Sequence, residues 1–136
     1  MSAFLDTSAL YVLLVRTEER HAEVVRTFRR LLAERRPLWI TSYIIVETVA
    51  LLQHRFGLAP VRDFAEHVLP VLSVEWVSES LHRKGTERLL REDRRRLSLV
   101  DCVSLEFIRS RGLRDVLALD PHFPEAGCRL LIQDQK

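Results

Sequence analysis

Three features of this 136-residue chain predict an α/β fold built on a central, mainly parallel sheet. Short apolar runs alternate with longer segments of helical period, the pattern that βαβ connections impose. Caps and stop residues stand where one kind of segment gives way to the other. No linker, internal repeat or low-complexity tract interrupts the alternation, so residues 1–136 read as one domain.

Taken in order, the first strand is Ala3 to Leu5, followed by a short helix from Ser8 to Val15. A second helix, Glu18 to Arg35, carries Val24, Val25, Phe28, Leu31 and Leu32 on one face and charge on the other. The second strand is Leu38 to Thr41, and Ser42 is placed to cap a helix that runs to about Phe56 and stops at Gly57. Pro60 suits the first turn of a helix reaching about Leu69, before Pro70. Leu72 to Val77 is the third strand. Helices then run from Ser78 to about Arg91 and from about Leu99 to Arg111, the latter stopped by Gly112. Asp115 to Leu119 and Arg129 to Ile132 complete the strands.

Composition narrows the class. With 47% apolar and 29% charged residues the chain matches a globular protein rather than a disordered one. No apolar stretch nears the roughly 20 residues needed to cross a bilayer. The start, Ser2-Ala3-Phe4-Leu5, has no basic region ahead of it, so a cytoplasmic location is the default expectation. Cys102 and Cys128 have no metal-type spacing and read as buried thiols rather than a disulfide.

Four acids stand out. Asp6 follows the run Ala3-Phe4-Leu5, Asp120 ends the run Val116-Leu117-Ala118-Leu119, and Glu47 and Asp101 interrupt apolar helical patterns. An ionised carboxylate in an apolar setting costs several kcal/mol unless it is paired or coordinates a cation. Asp6 alone reads as a helix cap, and Glu47 or Asp101 alone could pair with an arginine. Four such coincidences have a simpler common cause, which is convergence on a divalent metal at the carboxyl edge of the sheet. An all-oxygen set without clustered Cys or His favours Mg²⁺ or Mn²⁺.

The charge pattern suits a polyanionic partner. Net charge is +2, and setting the four acids aside leaves +6. Of the 21 basic residues 19 are Arg, whose planar fork binds phosphate bidentately. Arg94, Arg95 and Arg96 are the densest cluster and the candidate nucleic-acid contacts. A solvated, salt-bridged surface is the alternative, because Glu34, Glu87, Glu92 and Asp93 are interleaved among the arginines. A carboxylate-held metal beside an arginine-rich surface suits phosphodiester hydrolysis.

The segments Phe4-Leu5-Asp6-Thr7-Ser8-Ala9-Leu10, Thr41-Ser42-Tyr43-Ile44-Ile45-Val46-Glu47, Leu97-Ser98-Leu99-Val100-Asp101-Cys102 and Ala118-Leu119-Asp120-Pro121-His122-Phe123 resemble the PIN domain family in order and spacing. Within it the likeness is to the short VapC-type toxins. The resemblance implies a three-layer α/β/α sandwich with a sheet of four to five strands. It also implies a metal-dependent ribonuclease, an endonuclease rather than an exonuclease, whose metal-binding and catalytic acids are Asp6, Glu47, Asp101 and Asp120, with Ser8 as a supporting hydroxyl. A homodimer and a small inhibitory antitoxin are implied partners. One position departs from the pattern: many members carry a further Asp two residues after the fourth acid, where this chain has His122; imidazole is a poorer Mg²⁺ ligand and a better Mn²⁺ ligand, and a loop histidine after Pro121 is the preferred reading over a ligand to a second metal.

Two other readings compete. A phosphoacceptor domain is disfavoured, because Asp6 is followed by Thr7-Ser8 and neither lysine, Lys84 or Lys136, ends a strand. A catalytically silent RNA-binding or partner-binding module is the alternative function, and the intact set of four acids speaks against it.

Overall fold

The computed structural model describes residues 1–132, so Lys136 lies outside them. Five strands, β1 (Ala3–Leu5), β2 (Leu38–Thr41), β3 (Ser73–Glu75), β4 (Asp115–Leu117) and β5 (Arg129–Leu130), form an all-parallel sheet in the order β3-β2-β1-β4-β5. The helices are α1 (Thr7–Leu14), α2 (His21–Ala33), α3 (Ser42–Phe56), α4 (Leu58–Asp63), α5 (Glu79–Glu92), α6 (Leu99–Arg111) and α7 (His122–Glu125). Strand order reverses at β1: the chain steps outward through β2 and β3, then crosses back to β4 on the other side. Right-handed crossovers therefore lay α1 to α4 over one face and α5 to α7 over the other, giving three layers.

β1 is fully buried because it is central and covered on both faces. Phe4 faces the second helical layer, with ring centroids 6.0 Å from Phe107 and 6.3 Å from Phe123. On the same side Trp39 lies 5.7 Å from Phe107 and carries the Arg111 guanidinium over its ring. Leu5, Leu10, Leu31, Leu38, Ile40, Ile44, Leu52 and Leu117 complete the interior. Among the described residues no helix is long and apolar enough to cross a membrane. Both cysteines are free thiols; Cys102 is buried and Cys128 half-buried.

Several boundaries move for physical reasons. α2 begins at His21 rather than Glu18 because the N–H groups of Glu18 and His21 close turns onto Val15 and Glu18. Thr41, not Ser42, caps α3, its hydroxyl accepting from Ile44 N–H; Ser42 Oγ instead accepts from Val77 N–H and ties α3 to the end of β3. The helix expected to start near Pro60 begins at Leu58. It widens to a π-turn over Phe64–Val68 and tightens to a 3₁₀ turn at Leu69–Val71, because Pro70 has no N–H to continue the ladder. The short α7 turn has no counterpart among the expected helices. β3, β4 and β5 are shorter than their apolar runs, ending at Glu75, Leu117 and Leu130.

α5 packs closely on α6 through Gly85. A Cβ at this position would lie 2.4 Å from Val103 Cγ2 and 3.2 Å from Val103 backbone atoms. Valine is stiff at χ1, so Gly85→Ala is expected to lower stability by about 1–3 kcal/mol despite alanine's better helix propensity. A thermal melt of the variant checks this, and an unchanged or raised Tm would contradict it.

Candidate active site

The carboxyl ends of parallel strands share one edge, and β1 and β4 are neighbours there. Asp6 follows β1 directly and is the N-cap of α1, its Oδ2 accepting from Ser8 N–H (3.1 Å) and Ser8 Oγ–H (2.7 Å). Ser8 Oγ also accepts from Leu119 N–H at 3.0 Å. This hydroxyl thus binds the Asp6 turn to the segment carrying Asp120. Asp120 is not the residue just past β4, as the apolar run suggested: the ladder ends at Leu117, and Leu119 gives its N–H to Ser8 instead.

Asp101 sits in the first turn of α6 and completes a capping box with Ser98. Ser98 Oγ accepts from Asp101 N–H (3.1 Å), and Asp101 Oδ2 accepts from Ser98 N–H (3.0 Å). Glu47, half-buried, comes from the second turn of α3. Capping does not exhaust these carboxylates, because a cap occupies one oxygen and leaves the other. Asp6 Oδ1 is that second oxygen: it is buried and has no hydrogen-bond partner among the described residues.

Electrostatics show that the acids sense one another. Burial pushes Asp6 up to about 7, with the negative charges of Asp101 and Glu47 adding to the rise against the Ser8 hydrogen bonds. Burial also raises Glu47, and the charges of Asp101 and Asp120 raise it further. For Asp101 burial again dominates the upward shift; Asp120 adds to it, while Ser98 and His122 oppose it. Among the described residues no arginine or lysine forms an ion pair with Asp6, Glu47 or Asp101. The cationic partner that a buried-ion-pair reading requires goes instead to Asp115, a buried acid at the opposite edge, which binds both Arg36 and Arg129. Sequence reasoning places Asp115 at a strand start without singling it out, because a strand's first residue gives no sign of burial.

A divalent cation fits this donor set. Hard carboxylate oxygens, one of them buried without a partner among the described residues, and mutual repulsion that no arginine or lysine among them offsets are what such an ion relieves. His122, read from the sequence as a loop histidine in preference to a ligand, joins the cluster: one of its ring nitrogens and one carboxylate oxygen each of Asp101 and Asp120 lie within 4.8 Å of one another. Its spacing of two from Asp120 was the available signal. Arg94, Arg95 and Arg96 are exposed on the loop before α6. Arg96 O lies 3.2 Å from His122 Nε2, and Arg94 pairs with Glu125 at 2.9 Å.

Comparison with known proteins places this geometry. The family profile described as PIN domain matches residues 3–127. A Mycobacterium tuberculosis protein named 23S rRNA-specific endonuclease VapC20, found in two strains, is 35% identical over 126 residues, covering 91% of this chain and 93% of that one. The crystal structure of M. tuberculosis VapC20, described as a sarcin–ricin loop cleaving toxin, superposes with a TM-score of 0.80 at 32% identity, covering 94% of this chain and 97% of that one. FitAcB from Neisseria gonorrhoeae shares the fold alone, with a TM-score of 0.69 at 13% identity over 94% and 95% of the two chains.

Proposed function

The chain belongs to the PIN domain family, and on that footing we propose that it is a metal-dependent endoribonuclease, the toxin of a VapBC-type toxin–antitoxin pair. The observation that carries the reading is the mutual repulsion that couples Asp6, Glu47, Asp101 and Asp120, with no arginine or lysine paired to them among the described residues. These four would hold Mg²⁺ or Mn²⁺. When bound, such an ion acidifies water and stabilises charge on phosphoryl oxygens. The protein's own groups supply position: Ser8 clamps Asp6 Oδ2 and the Leu119 backbone together, and the Ser98 box fixes the Asp101 rotamer. Incubating the purified protein with labelled RNA in Mn²⁺ and in EDTA tests the reading; RNA left intact in both, or cleaved equally in both, contradicts it. The name of the mycobacterial relative makes 23S rRNA the first substrate to try.

Arg94, Arg95 and Arg96 are exposed on the loop whose Arg96 carbonyl lies beside His122, and they suit the RNA backbone. Replacing all three with Gln is expected to weaken RNA binding and to flatten the slope of log K against log salt by about 2, the counterion release of three contacts on a single strand. An unchanged slope would return them to the solvated surface.

A homodimer is supported by the apolar residues that α3 and α4 turn outward: Val46 is 67% exposed, Phe56 48% and Leu58 54%. Sedimentation at micromolar concentration should give twice the chain mass, with Val46→Asp shifting the balance to monomer. The antitoxin should be a small protein encoded beside this one that suppresses the cleavage. A cytoplasmic site of action follows from an RNA substrate.

A further inference from the structure

We propose that His122 is a metal ligand, completing with Asp101 and Asp120 a mixed nitrogen–oxygen site that prefers Mn²⁺ to Mg²⁺; the inference rests on the nuclease reading above and concerns which ion that site takes. The imidazole is only 10% exposed, unlike a loop histidine in solvent. Its position is fixed at the backbone, where His122 N–H donates to Asp120 Oδ1 at 2.8 Å, and by its neighbour Phe123, which is fully buried.

The two ring nitrogens have different surroundings. Nε2 lies 3.2 Å from Arg96 O and 3.5 Å from Asp120 Oδ1. Nδ1 is buried and has no hydrogen-bond partner among the described residues. Where Nε2–H donates to the Arg96 carbonyl, Nδ1 keeps a lone pair, and one ring nitrogen lies within 4.8 Å of a carboxylate oxygen of each of Asp101 and Asp120. A ring held through one nitrogen by a backbone carbonyl, with the other free, is the usual setting of a metal-bound histidine. Two carboxylate oxygens with one imidazole nitrogen are a poorer match for Mg²⁺, which prefers oxygen and water, than for a transition ion such as Mn²⁺.

The test uses the full-length protein and Mn²⁺ itself. Pulsed EPR of the Mn²⁺-loaded wild type should show nitrogen modulation, which ¹⁵N-histidine labelling converts to the ¹⁵N pattern. His122→Ala and His122→Asp, checked for folding by circular dichroism, should lose it. Competition titrations should show the Mn²⁺ over Mg²⁺ preference falling about tenfold or more in His122→Asp, which restores an oxygen donor. A wild type that binds Mn²⁺ and cleaves RNA without nitrogen modulation would overturn the inference and leave the nuclease reading intact. So would modulation that survives in His122→Ala, or an unchanged ion preference in His122→Asp. A wild type that neither binds Mn²⁺ nor cleaves RNA would remove the nuclease reading and this inference together.

Discussion

Asp6→Asn, Glu47→Gln and Asp101→Asn are each expected to reduce metal-dependent RNA cleavage by about 10²–10³-fold, the scale on which losing one charge-stabilising group in a desolvated site is felt. Each substitution is nearly isosteric. At positions 6 and 101 the amide oxygen that replaces the carboxylate can still accept the capping hydrogen bonds from Ser8 and Ser98. What is lost is negative charge at a site where burial and neighbouring acids make that charge costly. Asp120→Asn should be milder, about tenfold. Its side chain is partly exposed, and one of its oxygens is already engaged by His122 N–H. The measurement is single-turnover cleavage of labelled RNA at saturating Mn²⁺, with protein freed of host nuclease. Full activity in Asp6→Asn or Asp101→Asn would remove the metal site as the seat of catalysis.

The two kinds of buried acid in this protein are expected to respond oppositely to neutralisation. Asp115 accepts from Arg36 Nη2 (2.5 Å), Arg129 Nε (2.8 Å) and Arg129 Nη2 (2.9 Å). Burial alone would raise its pKa, but the hydrogen bonds and charges of Arg129 and Arg36 outweigh that and lower it. Asp115→Asn leaves the largely buried Arg36 without its carboxylate and should lower stability by about 3 kcal/mol, the low end for a broken buried pair because Arg129 stays mostly solvated. Asp101→Asn removes a repelling charge and should raise the Tm of the metal-free protein near pH 7 while abolishing most of the gain from Mn²⁺. A destabilised Asp101→Asn protein with an unchanged metal response would contradict the shared site.

The pH dependence follows from the same contrast. The Asp115 contribution is present above its unfolded pKa of about 3.9 and is lost as pH falls through its lower folded value. Asp6 behaves the other way, since its folded pKa is raised to about 7. Its penalty is absent below about pH 3.9, grows as pH rises toward 7 and is complete above. In EDTA the wild type should therefore melt higher at pH 5.5 than at pH 7.5, and Asp6→Asn should flatten that difference. Equal pH responses of the two proteins would show that Asp6 is not the group responsible.

The α/β class, the order of helices and strands, and the four acids set in apolar surroundings are all legible in the sequence, because periodicity and the cost of a buried charge act locally along the chain. Hydrophobic spacing around Glu47 and Asp101 turns both inward whatever the rest of the fold does. Which acids share a site and which carry arginines is a tertiary matter, since strand order brings β1 beside β4 and leaves Arg36, 79 residues from Asp115 in sequence, as its partner. The strand ends are likewise set by competition at a distance: Ser8 takes the Leu119 N–H, so β4 stops early and Asp120 stands clear of the sheet. His122 belongs to the same class. Its spacing of two from Asp120 is legible in the sequence, but its place beside Asp101 depends on α6 arriving at that turn, which local spacing does not encode.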